Sequence, residues 1–258
     1  MTKILSDLKE WFNIRNSLTA TIGFVPTMGA LHKGHLSLIE RCVKENKISV
    51  VSIFVNPAQF NDKNDYENYP KTFDNDFKML KEIGVDYLLM PDYNNLYPDD
   101  YKYKVTETDF CKILEGHHRP GHFDGVLTVV LKLLNIVRSD KAYFGEKDYQ
   151  QYKLIEGMTR AFFINTEVIL CETIREDDGL AFSSRNVRLT KDERRKASLF
   201  PALLKSKMNA EQIRSELEKL NFKVDYVQDL TDRRYGALWV GKVRLIDNVK
   251  IKNTRAET

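Results

Sequence analysis

Cysteine is scarce in this 258-residue chain. The three residues, Cys42, Cys111 and Cys171, lie far apart with no C-x-x-C pair, which argues against a disulfide framework or a cysteine-zinc site and predicts buried thiols in a reducing cytosol. Long apolar runs are lacking too. The longest, Val126 to Val137, is broken by Lys132 and falls short of the roughly 20 residues that span a bilayer, so no membrane partner is expected. The opening MTKILSDLKEWFN carries Asp7 and Glu10 where a signal peptide needs an uninterrupted apolar region, and the expected location is cytoplasmic. No internal repeat or low-complexity tract is evident. Aromatic and β-branched residues recur throughout, which excludes general disorder. Excess charge is also small. The net value is +3, with 19 Lys and Arg against 13 Asp and Glu from Thr173 onward and 21 against 24 before it. That imbalance is too slight for a nucleic-acid partner, which calls for clustered basic stripes. Histidine is rare but clustered: all five fall at His32/His35 or His117/His118/His122.

What is present is an alternation of strand runs and helical periods. Ile22–Val25, Ile48–Val55, Val85–Met90, Lys141–Phe144 and Thr166–Cys171 read as strands. Helices are expected from about His35 to Asn46, at Phe73–Ile83 ended by Gly84, across the i, i+3, i+4, i+7 pattern from Val126 to Val137, and from Asp148 to Arg160. Such alternation predicts an α/β fold, a Rossmann-like doubly wound parallel sheet with ligands beyond the carboxyl ends of its strands. The texture changes after Ile174. Lys191–Leu220 is charged and helical, and Phe222–Val227, Ala237–Val240 and Val243–Ile246 are short strand candidates. The expected organisation is therefore a catalytic unit over 1–173 and a smaller C-terminal α+β domain over 174–258.

Four segments carry chemistry. Pro26-Thr27-Met28-Gly29-Ala30-Leu31-His32-Lys33-Gly34-His35 links the first strand to the first helix, where free N–H groups and the helix dipole favour a phosphate. His35-Leu36 stand where a P-loop needs Lys-Ser/Thr, which excludes that motif. Zinc ligation by the H-x-x-H pair, or a plain helix start, are the rival readings. At Asn56-Pro57-Ala58-Gln59-Phe60, amide side chains leave a strand end and could bind a small polar acid, or Asn56 could simply form an Asx-turn. In Gly145-Glu146-Lys147-Asp148, the glycine allows close ligand approach, the lysine neutralises phosphate, and Asp148 suits Mg²⁺ or a ribose hydroxyl; an ordinary acidic N-cap is the alternative. Ser183-Ser184-Arg185 could clamp phosphate, with Ile174 and Phe182 bordering adenine, or could be a polar linker.

GFVPTMGALHKGHLSLI resembles the opening signature of the pantothenate synthetase (pantoate–β-alanine ligase) family, within the HIGH-type nucleotidyltransferases, whose H-x-G-H is His32-Lys33-Gly34-His35 here. V-N-P-A-Q-F and F-G-E-K-D-Y-Q-Q resemble two further motifs of that family, and G-L-A-F-S-S-R-N stands in the place of the synthetases' K-M-S-K-S loop. Members of the family usually carry Met or Leu where this chain has Phe182. From about Glu193 the resemblance is thin, apart from Arg244-Leu245-Ile246-Asp247-Asn248.

The resemblance implies ATP-dependent ligation of pantoate and β-alanine through a pantoyl adenylate, with Mg²⁺ and a homodimer. It implies ATP contact by Pro26, Met28–His35, Gly145–Asp148, Ile174 and Phe182–Arg185. Gln59 would touch both pantoate and β-alanine, beside Asn56 and Met28, and Gln151 would touch pantoate. The catalytic set would be His32, His35, Lys147 and Arg185, with His35 a proton donor. Arg119 and His122, in R-P-G-H-F, are left outside that set. Two rivals remain: an adenylyltransferase acting on a phosphate-bearing acceptor, and a non-catalytic ATP-binding module.

Overall fold

The computed structural model describes residues 2–251. Its six parallel strands are β1 (Lys3–Leu5), β2 (Ile22–Thr27), β3 (Ile48–Ile53), β4 (Tyr87–Leu89), β5 (Lys141–Gly145) and β6 (Glu167–Cys171). They lie in the order β1-β4-β3-β2-β5-β6. Both faces are covered, as the nearly continuous apolar run of β3 predicts. Phe24 and Val50 pack with Trp11, Phe123, Val130 and Leu134. Their chain neighbours Val25 and Val51 pack instead with Ile39, Leu80 and Tyr143, the period-2 alternation of strands. Burying each such side chain is worth about 1.5–3 kcal/mol relative to exposure.

The strand order reverses between β2 and β5, both of which pair in parallel at Gly23–Phe24 and Lys141–Ala142. A doubly wound sheet opens a crevice at such a switch point, and the segments leaving β2 and β5 begin at Met28 and Glu146. The α/β class is as the sequence predicts. The helix expected at Val126–Val137 starts four residues earlier, at His122, behind a left-handed Gly121 with φ 79°. The helix Phe73–Ile83 ends at left-handed Gly84, the residue type that adopts φ > 0 without a Cβ clash. The sequence pattern missed β1 and the helix Leu8–Ser17.

The chain clusters into two compact units: Met1–Glu146 with Gln150–Glu172, and Lys147–Tyr149 with Thr173–Thr258. In the second, helices Lys191–Ala197, Leu199–Leu204 and Ala210–Lys219 accompany an antiparallel sheet of β7 (Lys223–Leu230), β8 (Arg233–Val240) and β9 (Val243–Lys250). β8 runs longer than its apolar pattern suggests because it opens on two buried arginines. Arg234 donates to both carboxylate oxygens of Asp229 at 2.6 and 2.8 Å, and Arg233 lies 3.8 Å over the Tyr149 ring. Among the described residues, no helix is long and apolar enough to cross a membrane.

Candidate active site

The loop after β2 is held in shape by side chains, so three of the N–H groups expected to be free for a phosphate are engaged within the protein. Gly29 and Ala30 are both left-handed, with φ 77° and 50°, so successive amides turn away from the strand ladder. Three of those amides are held by side chains. Gly29 N–H donates to Thr27 Oγ1 at 3.1 Å, while Ala30 and Leu31 N–H each donate to the Asp76 carboxylate at 2.8 Å. Thr72 Oγ1 adds a third donor to Asp76 at 3.1 Å. Asp76 is 1% exposed, so these bonds are what make its buried charge tolerable. The loop then delivers His32 to the N-cap of the helix Lys33–Glu45, with an extended backbone and no side-chain cap bond. The His32 and His35 rings stack at 3.9 Å between centroids, 22° apart in plane. The two half-buried imidazoles thus stand together at the positive end of a 13-residue helix, an arrangement suited to a phosphate.

The second segment converges on Met28. Asn56 forms the Asx-turn and is 1% exposed, so its amide is spent on protein partners behind Gln59. Ala58 N–H donates to Asn56 Oδ1 at 3.3 Å, and Asn56 Nδ2 donates to Gln59 Oε1 and to Gly125 O, both at 3.1 Å. Gln59 Nε2 in turn faces Met28 Sδ at 3.1 Å. Three of the four residues expected to contact pantoate or β-alanine are therefore in one connected group. Gly125 permits it: a Cβ there would lie 2.4 Å from Ala58 O.

Gln150 and Gln151 divide their roles by burial. Gln150 is 4% exposed and anchors a loop, accepting from Glu115 N–H at 3.0 Å and donating to Phe110 O and Ile113 O at 2.8 and 2.9 Å. Gln151 is half-buried and makes no side-chain hydrogen bond among the described residues.

In the second unit, Lys147 Nζ lies 3.6 Å from Asp148 Oδ1, and Asn248 Nδ2 donates to Lys147 O at 2.9 Å. Phe182 N–H donates to Ile174 O at 3.1 Å, which brings the two expected adenine neighbours side by side across a turn. Arg175 fixes that turn through a bidentate pair with Asp247 at 2.6 and 3.0 Å. Arg185 N–H donates to Ser183 Oγ at 3.3 Å, and buried Asn186 donates to Glu176 and Ala181 O. The segment Ser183–Arg185 is thus a braced turn. No group of three or more His, Cys, Asp or Glu side chains among the described residues is arranged to hold a metal ion.

The family model for pantoate-beta-alanine ligase matches residues 1–250. The chain belongs to the pantoate–β-alanine ligase family, a family of enzymes. It is 53% identical over 252 residues to the pantothenate synthetase of Bdellovibrio bacteriovorus, covering 97% of this chain and 100% of that protein. It is also 49% identical over 250 residues to the pantothenate synthetase of Coxiella burnetii, with 96% and 97% covered. The crystal structure of the pantoate-β-alanine ligase of Francisella tularensis, complexed with beta-gamma ATP and β-alanine, superposes with a TM-score of 0.92 at 44% identity, covering 97% of this chain and 98% of that one.

Membership of the pantoate–β-alanine ligase family accounts for the motif order but leaves out residues the structure adds. Asp76 lies 45 and 46 residues from the amides it holds, and no local pattern in the sequence links it to them. Arg119 and His122 join the Gln59 backbone: His122 Nδ1 lies 2.8 Å, and Arg119 Nη2 3.3 Å, from Gln59 O. The clustering of histidines in the sequence was the one available signal for the second pair.

Proposed function

We propose that this member of the pantoate–β-alanine ligase family makes pantothenate in two steps. A pantoate carboxylate oxygen attacks the α-phosphorus of ATP, the bond to pyrophosphate breaks, and pantoyl adenylate forms. The β-alanine amine then attacks the acyl carbon, AMP leaves with the acyl oxygen, and the amine gives up a proton as the amide forms. Because the carboxylate itself attacks, no serine or cysteine nucleophile is needed. Catalysis rests on positioning two anions and on donors aimed at phosphate oxygens.

In this reading residues 1–173 bind ATP and pantoate. His32 and His35 donate ring N–H bonds to the α- and β-phosphates, and His35 protonates the leaving pyrophosphate. The loop from Met28 to Gly34, in which the amides of Gly29, Ala30 and Leu31 are already held by Thr27 and Asp76, and the bare backbone of Gly145 border the nucleotide. Gln59 and Gln151 hold pantoate, with Asn56 and Met28 beside Gln59. Residues 174–258 supply Ser183, Ser184 and Arg185 to the pyrophosphate, and Ile174 and Phe182 to the adenine. Lys147 neutralises phosphate charge.

A single half-exposed carboxylate, Asp148, fits Mg²⁺, which keeps several waters and is bound through one or two carboxylates plus substrate phosphates. When bound, the ion would neutralise phosphate charge. The proposal extends to a cytoplasmic homodimer without nucleic-acid or membrane partners, and light scattering reads its oligomeric state.

The observation that carries this reading is the stacked His32–His35 pair at a helix N-terminus, on the same loop whose Met28 meets Gln59. The test is ATP plus pantoate, with and without β-alanine, followed by mass spectrometry for pantoyl adenylate and pantothenate. His35→Ala should lose on the order of 10²-fold or more in adenylation rate while remaining folded. An unchanged rate of pyrophosphate release would refute the assignment.

A further inference from the structure

Gln59 ends a three-residue 3-10 turn, Pro57–Gln59, too short to fix a side chain by itself. A primary amide is nearly symmetric in shape, yet its two ends are opposite in chemistry: one donates and the other accepts. An anionic, hydroxylated acid such as pantoate gains from meeting the donor end. The surrounding groups decide which end it meets, and the decision can be followed atom by atom.

Ala58 N–H can only donate, and its partner is Asn56 Oδ1. Gly125 O can only accept, and its partner is Asn56 Nδ2. These two backbone groups fix the orientation of the Asn56 amide. Tyr97 OH donates to the same Oδ1 at 2.9 Å, closing its remaining acceptor site. Asn56 Nδ2 then has its other hydrogen for Gln59 Oε1. With its oxygen engaged, Gln59 must turn Nε2 outward, one hydrogen toward Met28 Sδ and the other available to a ligand. Tyr97 is suited to remain the donor. It is 2% exposed, and burial, together with neighbouring Tyr101 and Tyr93, pushes its hydroxyl above the ordinary tyrosine range.

A second hold acts on the backbone. Gln59 O can only accept, so the His122 Nδ1 facing it at 2.8 Å carries a proton. Arg119 can only donate, so the His122 Nε2 facing its Nη1 at 3.0 Å carries a lone pair. The ring is thereby held as the neutral Nδ1–H tautomer. Glu115 lies 3.8 Å from the same arginine nitrogen.

We infer that Tyr97 and His122 are positioning residues for Gln59, the first by securing the Asn56 amide that settles which end of Gln59 faces pantoate and the second by fixing the turn that carries it. The inference rests on the assignment of Gln59 to pantoate. It gives a substrate-directed role to two residues that touch no reacting atom.

The test is steady-state kinetics of the full-length enzyme with ATP, pantoate and β-alanine varied in turn, each variant first checked by thermal melting. Tyr97→Phe keeps the ring and removes one hydroxyl. It should raise the KM for pantoate by about 3- to 10-fold, the worth of one ordinary hydrogen bond, and leave the KM for ATP within about twofold. In a Gln59→Ala background the same substitution should add nothing, because the amide it orients is gone. His122→Ala should reproduce the pantoate effect. His122→Asn, whose Nδ2–H can replace the ring Nδ1–H, should restore most of it. If Tyr97→Phe raises both KM values equally, or its effect adds fully to that of Gln59→Ala, the positioning role is overturned while the Gln59 assignment stands. If Gln59→Ala leaves the pantoate KM unchanged, both are overturned. Should His122→Ala fail to fold, the isosteric Tyr97→Phe and its double-mutant cycle still decide.

Discussion

Replacing Asp76 by asparagine removes one charge and changes almost no volume, and the structure gives opposite expectations depending on which effect dominates. A carboxylate close to the loop proposed to bind phosphate repels an anion, so electrostatics alone predicts that Asp76→Asn binds ATP more tightly. Geometry predicts the reverse. The Asp76 carboxylate accepts two backbone N–H bonds at 2.8 Å, one per oxygen, from Ala30 and Leu31. An amide offers one oxygen, so the second N–H would face an NH₂ group, donor against donor, at a site 1% exposed.

A hydrogen bond to a charged acceptor is worth about 1.5–3 kcal/mol net, and an unsatisfied buried donor costs about 1–3 kcal/mol. Relief of the buried charge offsets part of this, leaving roughly 2–4 kcal/mol. If the loop must re-form before it binds nucleotide, that cost appears as about a 30- to 850-fold rise in the apparent Kd for ATP. If the loop holds and the whole unit is destabilised, the melting temperature falls by roughly 2–4 °C per kcal/mol. Isothermal titration with a non-hydrolysable ATP analogue and a thermal melt together separate these outcomes. Tighter ATP binding with an unchanged melt would refute the assignment of Asp76 as the strut of this loop.

Three further outcomes are expected. Gly125→Ala places a Cβ 2.4 Å from Ala58 O, a backbone atom that cannot swing away, so it should cost roughly 1–3 kcal/mol by overpacking and weaken pantoate binding more than ATP binding. Chemical denaturation beside a pantoate KM measurement checks this, and a variant of full stability would count against the close approach. Asn248→Ala removes the donor to Lys147 O. It should lower kcat with a small effect on the melt, and an unchanged kcat argues that the backbone of Lys147 is held by other means. The thiol of Cys42, pushed up to about 12 by burial, should resist iodoacetamide at pH 8 in the native protein and react only on unfolding, as read by mass spectrometry. Since the folded state raises this pKa, the thiol's contribution to stability is full below about pH 8.5 and is lost as pH rises toward 12. Native stability should therefore fall through that alkaline window less steeply in Cys42→Ala than in the parent.

Local signals explain why some of this was legible in the sequence. The helix His122–Val137 buries nearly one face after another along its length, so its apolar period could be counted. The loop Pro26–His35 is contiguous, and its glycines and histidines sit within ten residues. β1 escaped notice because three residues pairing only with β4 cannot display an alternation. β8 looked shorter than it is because Arg233 and Arg234 read as surface residues, whereas both are 5% exposed, Arg233 against Tyr149 and Arg234 against Asp229 and the distant carbonyls of Leu204 and Ser206. The same reason hid Asp76, Tyr97 and the role of His122. Each acts across 40 residues or more, and a donor–acceptor match at that separation leaves no periodic trace.

The three residues Lys147–Tyr149 belong, by their packing, with chain that begins 24 positions later. Arg233 covers Tyr149, Tyr235 lies 6.3 Å from the same ring, and Asn248 holds the carbonyl of Lys147. Any exchange of modules between related genes would have to respect that kinship. A crossover near codon 173 would pair a Tyr149 from one parent with an Arg233 from another, so these positions should be inherited as one block. For the same reason, a fragment starting at Thr173 would leave the guanidinium of Arg233 without its aromatic cover, and should be soluble only when a peptide carrying Lys147–Tyr149 is supplied with it.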